Sequence, residues 1–267
     1  MNRNAGSSRE FAGDILAVEP IMGDASLVTV TAPAAVAAGL KAGQFFNIMT
    51  RAPSAFDPLL RRPYSVYRVN RADSTLTFLV RPFGRGSAWL SARKVGESLG
   101  LLGPLGNQFQ FAPRSQRVVM LGGGVGVAPL VMLADEATAK GLDIAFLMGA
   151  ASESGLLPAA ELAPGVEYSV ATDDGSRGHH GFATDLIGAY VTWADQIFSC
   201  GPEPMFRTLR EAVEPLRINR RPTIQVSVER GMACGLGACL GCVVETRQGM
   251  IPSCVQGPVF DLDRMIL

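Results

Sequence analysis

Four cysteines near the carboxyl end of the chain have a spacing that suits iron–sulfur chemistry. Cys234, Cys239 and Cys242 follow a C-x4-C-x2-C pattern, and Cys254 comes after eleven further residues. The opening spacing is that of the plant-type [2Fe–2S] loop, in which four thiolates hold two irons bridged by sulfides. Plant-type loops place the fourth cysteine further along, so Cys254 departs from that pattern.

The residues between these cysteines help to separate the alternatives. Gly235, Gly237 and Gly241 allow backbone N–H groups to approach the sulfides closely. A zinc knuckle has two C-x2-C pairs, and this stretch has one. A disulfide pair favours a secreted protein, and the amino-terminal residues 1–10 lack a secretory segment. The pattern therefore favours a [2Fe–2S] centre, with a zinc-binding regulator as the simpler alternative.

Two other segments carry residues that suit a bound diphosphate. In the segment Arg62-Pro63-Tyr64-Ser65, the planar donor fork of arginine suits phosphate, while the ring and the hydroxyl can contact a flat ligand. Gly84 to Ser87 precedes a helix that we predict over residues 87–92, with Ser87 as its cap and phosphate at its N-terminus. A surface arginine before a strand is the alternative for the first segment.

The residues around these two segments indicate an antiparallel barrel. Short β-rich stretches are bounded by Gly, Pro or Asp, and no long helix interrupts them. Residues 1–10 are expected to be a frayed end, and the Gly- and Pro-rich stretch 99–109 a tight turn that shapes the site or merely closes the barrel. The predicted strands span residues 14–18, 26–30, 44–49, 64–69 and 74–80.

From residue 116 the pattern changes to alternating strands and helices. The apolar run 117–121 leads into glycines and then a helix over 129–140, which is the order of a dinucleotide-binding unit. The spacing differs from G-x-G-x-x-G, so we predict only that Gly123, Gly124 and Gly126 contact the ligand. The alternation predicts a doubly wound parallel sheet with its ligand at the strand carboxyl ends.

Polar and thiol groups lie where several of these predicted strands end. Cys200 and Gly201 follow the strand 196–200, where a nicotinamide would lie, although Cys200 is equally well explained as a small buried residue. Asp173 and Asp174 could meet ribose hydroxyls or simply solubilise a turn. His179 and His180 are expected to be solvated, since no third metal ligand lies near them in sequence.

The predicted fold class is therefore a multidomain α+β protein. It combines an antiparallel β-barrel over residues 10–114, a doubly wound parallel α/β domain over 115–222, and a small [2Fe–2S] module over 223–267. Strands at 225–229, 242–246 and 257–261 are expected to frame the cysteine loop. Hydrophobic residues make up 48% of the 267 residues, which suffices for cores of this size.

Charge and composition narrow the partners and the compartment. The formal net charge is zero, which argues against nucleic acid or an anionic membrane as a main partner. No apolar run approaches the ~20 residues of a membrane span. Five cysteines, four of them in one motif, suit the reducing cytoplasm.

Taken in order, these segments resemble the ferredoxin–NADP reductase superfamily, and within it the electron-transfer subunits of NAD-dependent (type B) dihydroorotate dehydrogenase. The resemblance covers about residues 11–267, and the stretch from Cys234 to Cys242 is its most specific part. It implies a [2Fe–2S] cluster on the four cysteines, NAD in the α/β domain and FAD in the barrel. The residues implied to hold FAD are Arg62, Pro63, Tyr64, Ser65, Leu79, Val80, Arg81, Gly86 and Ser87.

The resemblance further implies an electron relay that needs no catalytic acid or base in this chain. Its partner would be an FMN-containing subunit that oxidises dihydroorotate to orotate for pyrimidine biosynthesis, in a heterotetramer of two copies of each. Ser65 would hydrogen-bond near the flavin N5, and Tyr64 would contact the flavin. NAD is favoured over NADP, because Glu153 would repel a 2′-phosphate and no arginine cluster follows residue 147.

Other functions fit the same features. A small diaphorase subunit of another iron–sulfur flavoprotein, such as an NADH-dependent ferredoxin:NADP⁺ oxidoreductase or a hydrogenase, has a similar order of segments. A stand-alone flavin reductase would reduce a small acceptor with no partner present. Co-purification with an FMN protein that turns over dihydroorotate would separate the first function from the others.

Overall fold

The first part of the chain forms a closed barrel of six antiparallel strands, which confirms the predicted barrel. The computed structural model describes residues 9–216 and 221–267. Alternate side chains of a strand share one face of a sheet, and Val28 and Val30 of the second strand are buried in the barrel core. In chain order the elements are β1 (Arg9–Met22), β2 (Ala25–Thr31), α1 (Ala34–Gly39), β3 (Phe45–Ile48), β4 (Arg62–Asn70), β5 (Thr75–Val80), α2 (Arg85–Ser91) and β6 (Ser98–Leu105).

The prediction of a turn over residues 99–109 is wrong for most of that stretch. Residues 99–105 belong to β6, which pairs with β1 and β3 and closes the barrel. Leu99, Leu101 and Leu105 are buried, so the stretch has the two-residue period of a strand. Position 103 requires glycine because a Cβ there would collide with the ring of Phe46. Gly103, one of the glycines that suggested a turn, is thus a packing residue of a strand.

The prediction of a frayed amino-terminal end is also wrong where the structure tests it. Arg9 and Glu10 begin β1 and pair with Gly103 and Leu102 of β6. The carboxylate of Glu10 accepts a hydrogen bond from the Arg61 guanidinium. Residues 1–8 of the predicted end lie outside the described residues.

The second part of the chain forms a seven-stranded sheet in the order β10-β9-β8-β7-β11-β12-β15. Neighbouring strands are parallel except β15, which runs antiparallel to β12. No helix in the described ranges is long and apolar enough to cross a membrane. The elements are β7 (Arg117–Gly123), α3 (Ala128–Thr138), β8 (Asp143–Ala150), β9 (Glu167–Thr172), β10 (His179–His180), β11 (Gln196–Cys200), α4 (Glu203–Val213), β12 (Thr223–Ser227), β13 (Val243–Thr246), β14 (Gly249–Pro252), α5 (Ser253–Gln256) and β15 (Val259–Asp261).

Helices cover both faces of this sheet, which confirms the doubly wound arrangement. Val118 and Met120 of β7 belong to the core that contains α3, whereas Val119 and Leu121 belong to the core that contains α4. A strand buried on both faces must be apolar throughout. The continuous apolar run of β7 meets that requirement.

Polar and aromatic contacts fix the barrel against the sheet. The Arg68 guanidinium of β4 lies 2.8 Å from the Asp135 carboxylate of α3 and 2.7 Å from that of Glu161. Phe109 and Phe111, in the connection after β6, pack edge-on against Phe198 of β11. These contacts hold the barrel against α3 and β11.

The carboxyl-terminal segment contributes to the sheet as well as to the cysteine loop. β12 and β15 form one edge of the sheet, while β13 and β14 pair as a separate hairpin. The predicted boundary after residue 222 therefore runs between strands of a single sheet. The cysteine loop packs on the barrel through a small buried cluster of Phe45, Leu105, Met232, Cys242 and Cys254.

Candidate functional site

The four thiols of the cysteine loop lie in two pairs. The side chains of Cys234 and Cys239 are within hydrogen-bonding reach of each other, and so are those of Cys242 and Cys254. Within the described ranges, no three Cys, His, Asp or Glu side chains are grouped as ligands of one metal ion. A centre with two irons and four cysteine ligands needs two thiolates for each iron, and these two pairs of thiols meet that need.

Backbone N–H groups of the loop point at these sulfurs. Leu236 N lies 3.4 Å from Cys234 Sγ, Gly237 N 3.2 Å from Cys254 Sγ, and Gly241 N 3.5 Å from Cys239 Sγ. Gly237 has φ +78°, a conformation that glycine adopts readily. The loop therefore presents donors to sulfur, as a cluster with negative sulfides and thiolates requires.

Burial and hydrogen bonding move the pKa values of two thiols in opposite directions. The backbone N–H of Leu236, assisted by that of Cys239, lowers the pKa of Cys234 to about 6. Burial raises the pKa of Cys254 to about 12, against the opposing effect of the Gly237 N–H. The loop thus combines Cys234, which ionises easily, with Cys254, whose thiol proton a bound iron would have to displace.

The residues predicted to hold a diphosphate come together at the amino-terminal end of β4. A Cβ placed on Gly86 would lie 3.5 Å from Arg62 Cγ and 2.7 Å from Thr50 Oγ1, so the two predicted segments are adjacent. Pro63 and Tyr64 follow Arg62 in β4 and pair with Asn47 and Phe46 of β3. Burial raises the pKa of Tyr64 to about 12, which keeps this phenol neutral.

Ser87 does not cap its helix in the predicted way. Helix α2 begins at Arg85, with Gly84 at the N-cap, and Ser87 lies inside the first turn. Its Oγ accepts hydrogen bonds from the N–H groups of Phe83 and Gly84, at 2.8 Å and 2.9 Å. The prediction of a helix over residues 87–92 is therefore displaced by two residues, because the serine pulls the preceding loop back onto the helix.

The carboxyl end of β3 and the two loop residues beyond Met49 hold buried polar atoms that the sequence did not reveal. Both polar atoms of the Asn47 carboxamide, Thr50 Oγ1 and Arg51 Nε are buried without a hydrogen-bond partner among the described residues. Buried polar groups are nearly always paired in folded proteins. Asn47 pairs with Pro63 of the segment from Arg62 to Ser65, and Thr50 lies beside Gly86. The unsatisfied Thr50 hydroxyl, which faces Gly86, fits a large polar ligand such as FAD.

Two further residues implied for FAD could offer only their main chain to a ligand. The side chains of Leu79 and Val80 are buried in the barrel core. Arg81 leaves the barrel, pairs with Asp24 at 2.8 Å, and lines a cleft shared with the sheet. Arg81 therefore lines the predicted dinucleotide site.

This cleft, of about 490 Å³, opens at the carboxyl ends of the parallel strands. Gly123 and Gly124 of the glycine-rich loop line it, together with Asp173 and residues 149–151. Gly124 has φ +53°, and a side chain there would extend into open space. Ligands of doubly wound sheets bind at this position. His179 and His180 are exposed and stand apart from it.

Cys200, Gly201 and Gly126 form the packed floor behind this cleft. A Cβ on Gly126 would stand 2.6 Å from the Cys200 carbonyl oxygen, so the glycine allows the loop to lie on β11. Burial raises the pKa of the Cys200 thiol, which keeps it protonated in the core. Cys200 therefore offers backbone rather than sulfur to a ligand. Gly201 adjoins Gly123.

Comparisons with known proteins agree with this arrangement. The family model for the iron-sulfur cluster binding domain of dihydroorotate dehydrogenase B matches residues 229–266. The dihydroorotate dehydrogenase B (NAD(+)) electron transfer subunit of Bacillus caldolyticus is 38% identical over 232 residues, which cover 84% of this chain and 86% of that one. The corresponding subunit of Streptococcus mutans is 34% identical over 236 residues, covering 86% and 88%.

Solved structures show the same fold at lower identity. A chain of the NADH-dependent reduced ferredoxin-NADP oxidoreductase superposes with a TM-score of 0.82 at 24% identity, covering 95% of this chain and 89% of that one. The ferredoxin reductase of carbazole 1,9a-dioxygenase gives 0.69 at 22% identity, covering 83% and 70%. From its identity to the curated subunits over most of its length, the chain belongs to the family of dihydroorotate dehydrogenase B (NAD(+)) electron transfer subunits.

Proposed function

We propose that this chain carries electrons between NAD(H) and an FMN-containing catalytic subunit that converts dihydroorotate to orotate. FAD and a [2Fe–2S] cluster supply the chemistry, since a flavin exchanges electron pairs with a nicotinamide and single electrons with an iron–sulfur centre. The protein supplies binding, orientation and electrostatics. The four thiols of the cysteine loop, with Cys242 and Cys254 buried against the barrel strands, are the observation that carries this proposal.

The barrel would hold FAD by its diphosphate and its ring. The Arg62 guanidinium and the N–H of Gly86 would bind the diphosphate, and Thr50 Oγ1 would complete the set as a buried donor. Ser65 would hydrogen-bond near the flavin N5, while Tyr64 would contact the flavin. Ser87 would act indirectly, because its hydroxyl already holds the loop before Gly86.

The cleft at the sheet would take the nicotinamide dinucleotide. Gly123 and Gly124 leave room for a diphosphate at the end of β7, and the loop after Cys200 would lie below the nicotinamide. Arg81 lines the same cleft and offers it a positive charge. Glu153 lies beyond β8 and is paired with Arg177 at 3.1 Å. We propose NAD rather than NADP as the dinucleotide.

The cysteine loop offers a surface for the catalytic partner. Cys239 is exposed, and the loop also exposes Leu236 and Leu240, at 58% and 59%. Val255 is exposed as well, and a Cβ on Gly237 would lie 2.8 Å from its Cγ2. Contiguous exposed apolar side chains mark protein contacts. We propose that the partner docks here, that two copies of each subunit assemble, and that the complex works in the cytoplasm.

Replacing one exposed ligand tests this relay. Cys239→Ser is expected to abolish electron transfer from the flavin to the purified catalytic subunit. NADH-dependent reduction of a dye by the flavin is expected to stay near the wild-type rate, because the flavin and dinucleotide sites lie elsewhere in the chain. Ala238→Ser, on the neighbouring exposed residue, is the matched control and should retain both activities. Equal loss of both activities in Cys239→Ser would contradict the relay order.

A further inference from the structure

Asn47 lies in the wall between the flavin-site strands and the cysteine loop. It occupies β3, opposite Pro63 of β4 and Leu102 of β6. Its side chain is fully buried, with 0% of its surface exposed. Across the wall it meets Gly235, where any added side chain would collide with Asn47 Nδ2.

The surroundings of this carboxamide leave its hydrogen bonds unmade. Neither Nδ2 nor Oδ1 has a partner among the residues that the structure describes. Its neighbours on the loop side are apolar or backbone, since Leu105 also packs against Gly235 and Phe45 contacts the same cluster of side chains. An unpaired buried amide costs about 1–3 kcal/mol, so its partner is expected to be a bound group.

We propose that Asn47 Nδ2 donates a hydrogen bond to a sulfur of the [2Fe–2S] centre, an inference that rests on the proposed function. Gly235 directly follows the ligand Cys234, so the amide nitrogen points at the part of the loop where the cluster would be held. Thiolate and sulfide sulfurs accept hydrogen bonds and cannot donate them, which suits the Nδ2 end. Asn47 thus belongs to the barrel proposed to bind FAD, while its side chain would contact the [2Fe–2S] centre.

This hydrogen bond has a measurable electrical consequence. Reduction adds negative charge to the cluster, and a donor to sulfur stabilises the reduced form more than the oxidised form. Removing the donor lowers the midpoint potential of the cluster. The flavin potential is expected to change less, because the proposed bond is made to sulfur.

Asn47→Leu tests the assignment, since leucine is similar in size and suits the apolar neighbours. EPR-monitored redox titration is expected to show a shift of the cluster midpoint to lower potential and a changed EPR spectrum. Thr29→Val is the matched control: it removes a hydroxyl of the same barrel that is paired with that of Thr77 at 2.9 Å, on β2, which does not neighbour β3. The cluster midpoint of Thr29→Val should equal that of the wild type.

A second measurement can be made on the wild-type protein. Wild-type protein is labelled with asparagine carrying ¹⁵N only in its side-chain amide, and the reduced cluster is studied by pulsed EPR. A ¹⁵N coupling that disappears in Asn47→Leu supports the proposal, and if that variant loads no cluster, the wild-type spectrum decides alone. A normal cluster signal with no ¹⁵N coupling, or an unshifted midpoint in Asn47→Leu, overturns the assignment. Absence of any cluster signal in the wild type overturns the proposed function itself.

Discussion

Thr50→Val is expected to weaken FAD binding while making the flavin-free chain no less stable. The Thr50 side chain is fully buried, and its Oγ1 lacks a partner among the described residues. That oxygen faces Gly86 and lies near Arg62, the two residues proposed to hold the FAD diphosphate. Valine has nearly the same shape, so the substitution removes the hydroxyl with little change in packing.

The size of the effect follows from what the hydroxyl does in each state. A hydrogen bond to a charged group contributes about 1.5–3 kcal/mol, so its loss should raise the Kd for FAD by about 10- to 100-fold. In the flavin-free chain the unpaired hydroxyl is itself unfavourable, by about 1–3 kcal/mol. The free energy of unfolding of that form should therefore stay constant or rise.

Fluorescence titration of FAD into flavin-free protein measures the first effect, and urea unfolding measures the second. Thr29→Val is the matched control, because the Thr29 hydroxyl lies in the same barrel but is paired with that of Thr77 at 2.9 Å. That variant should bind FAD normally and unfold at lower urea. A Thr50→Val protein that binds FAD as tightly as the wild type would refute the role assigned to Thr50.

Three other substitutions test the packing and the charges of the site. Gly126→Ala places a Cβ 2.6 Å from the Cys200 carbonyl oxygen, so the glycine-rich loop must move. The KM for NADH in dye reduction should therefore rise, and the thermal midpoint should fall by a few degrees. An unchanged KM would contradict this prediction. Phe45→Ala leaves a cavity under the cysteine loop and should lower the free energy of unfolding by about 3–5 kcal/mol. On mild warming this variant should lose sulfide before it loses FAD. Simultaneous loss of both would contradict the prediction. The Arg117 guanidinium lowers the pKa of Asp195 to about 2, below its unfolded value, so this pair stabilises the fold above about pH 4 and ceases to do so as the pH falls through 2. After allowance for solvent screening, Asp195→Asn should lower the free energy of unfolding of the flavin-free chain in urea by about 1 kcal/mol at pH 7, and by less toward pH 2. An equal loss at both pH values would show that the charge of Asp195 is irrelevant to stability.

Much of the architecture was predictable because local pattern and final environment agree. Residues 118–121 are all apolar and lie in a strand that is buried on both faces. The strand predicted over 196–200 has the same bounds in the structure, since its five residues are all buried. The cysteine spacing identified the thiol loop because the chemistry of two irons constrains it directly.

The prediction failed where glycine serves packing rather than turning. Gly103 lies in β6 because the ring of Phe46 occupies the space of its side chain, and only the closed barrel brings these two residues together. Ser87 was placed at the wrong position of its helix, because its contacts to Phe83 and Gly84 form only after the loop folds back. Such contacts depend on tertiary structure, which local composition does not encode.

Asn47 and Thr50 were missed for a different reason. Each is a single polar residue in an apolar segment, and a strand can place such a residue toward solvent. The structure shows both to be fully buried. A polar residue at a position that the two-residue period predicts to be buried is the signal that could have identified them.

Chemical analysis and EPR of anaerobically purified protein test the central claim most directly. The four paired thiols predict about two irons and two acid-labile sulfides for each chain, and a paramagnetic signal after one-electron reduction. Stoichiometric zinc without sulfide, or iron without sulfide, would contradict the account.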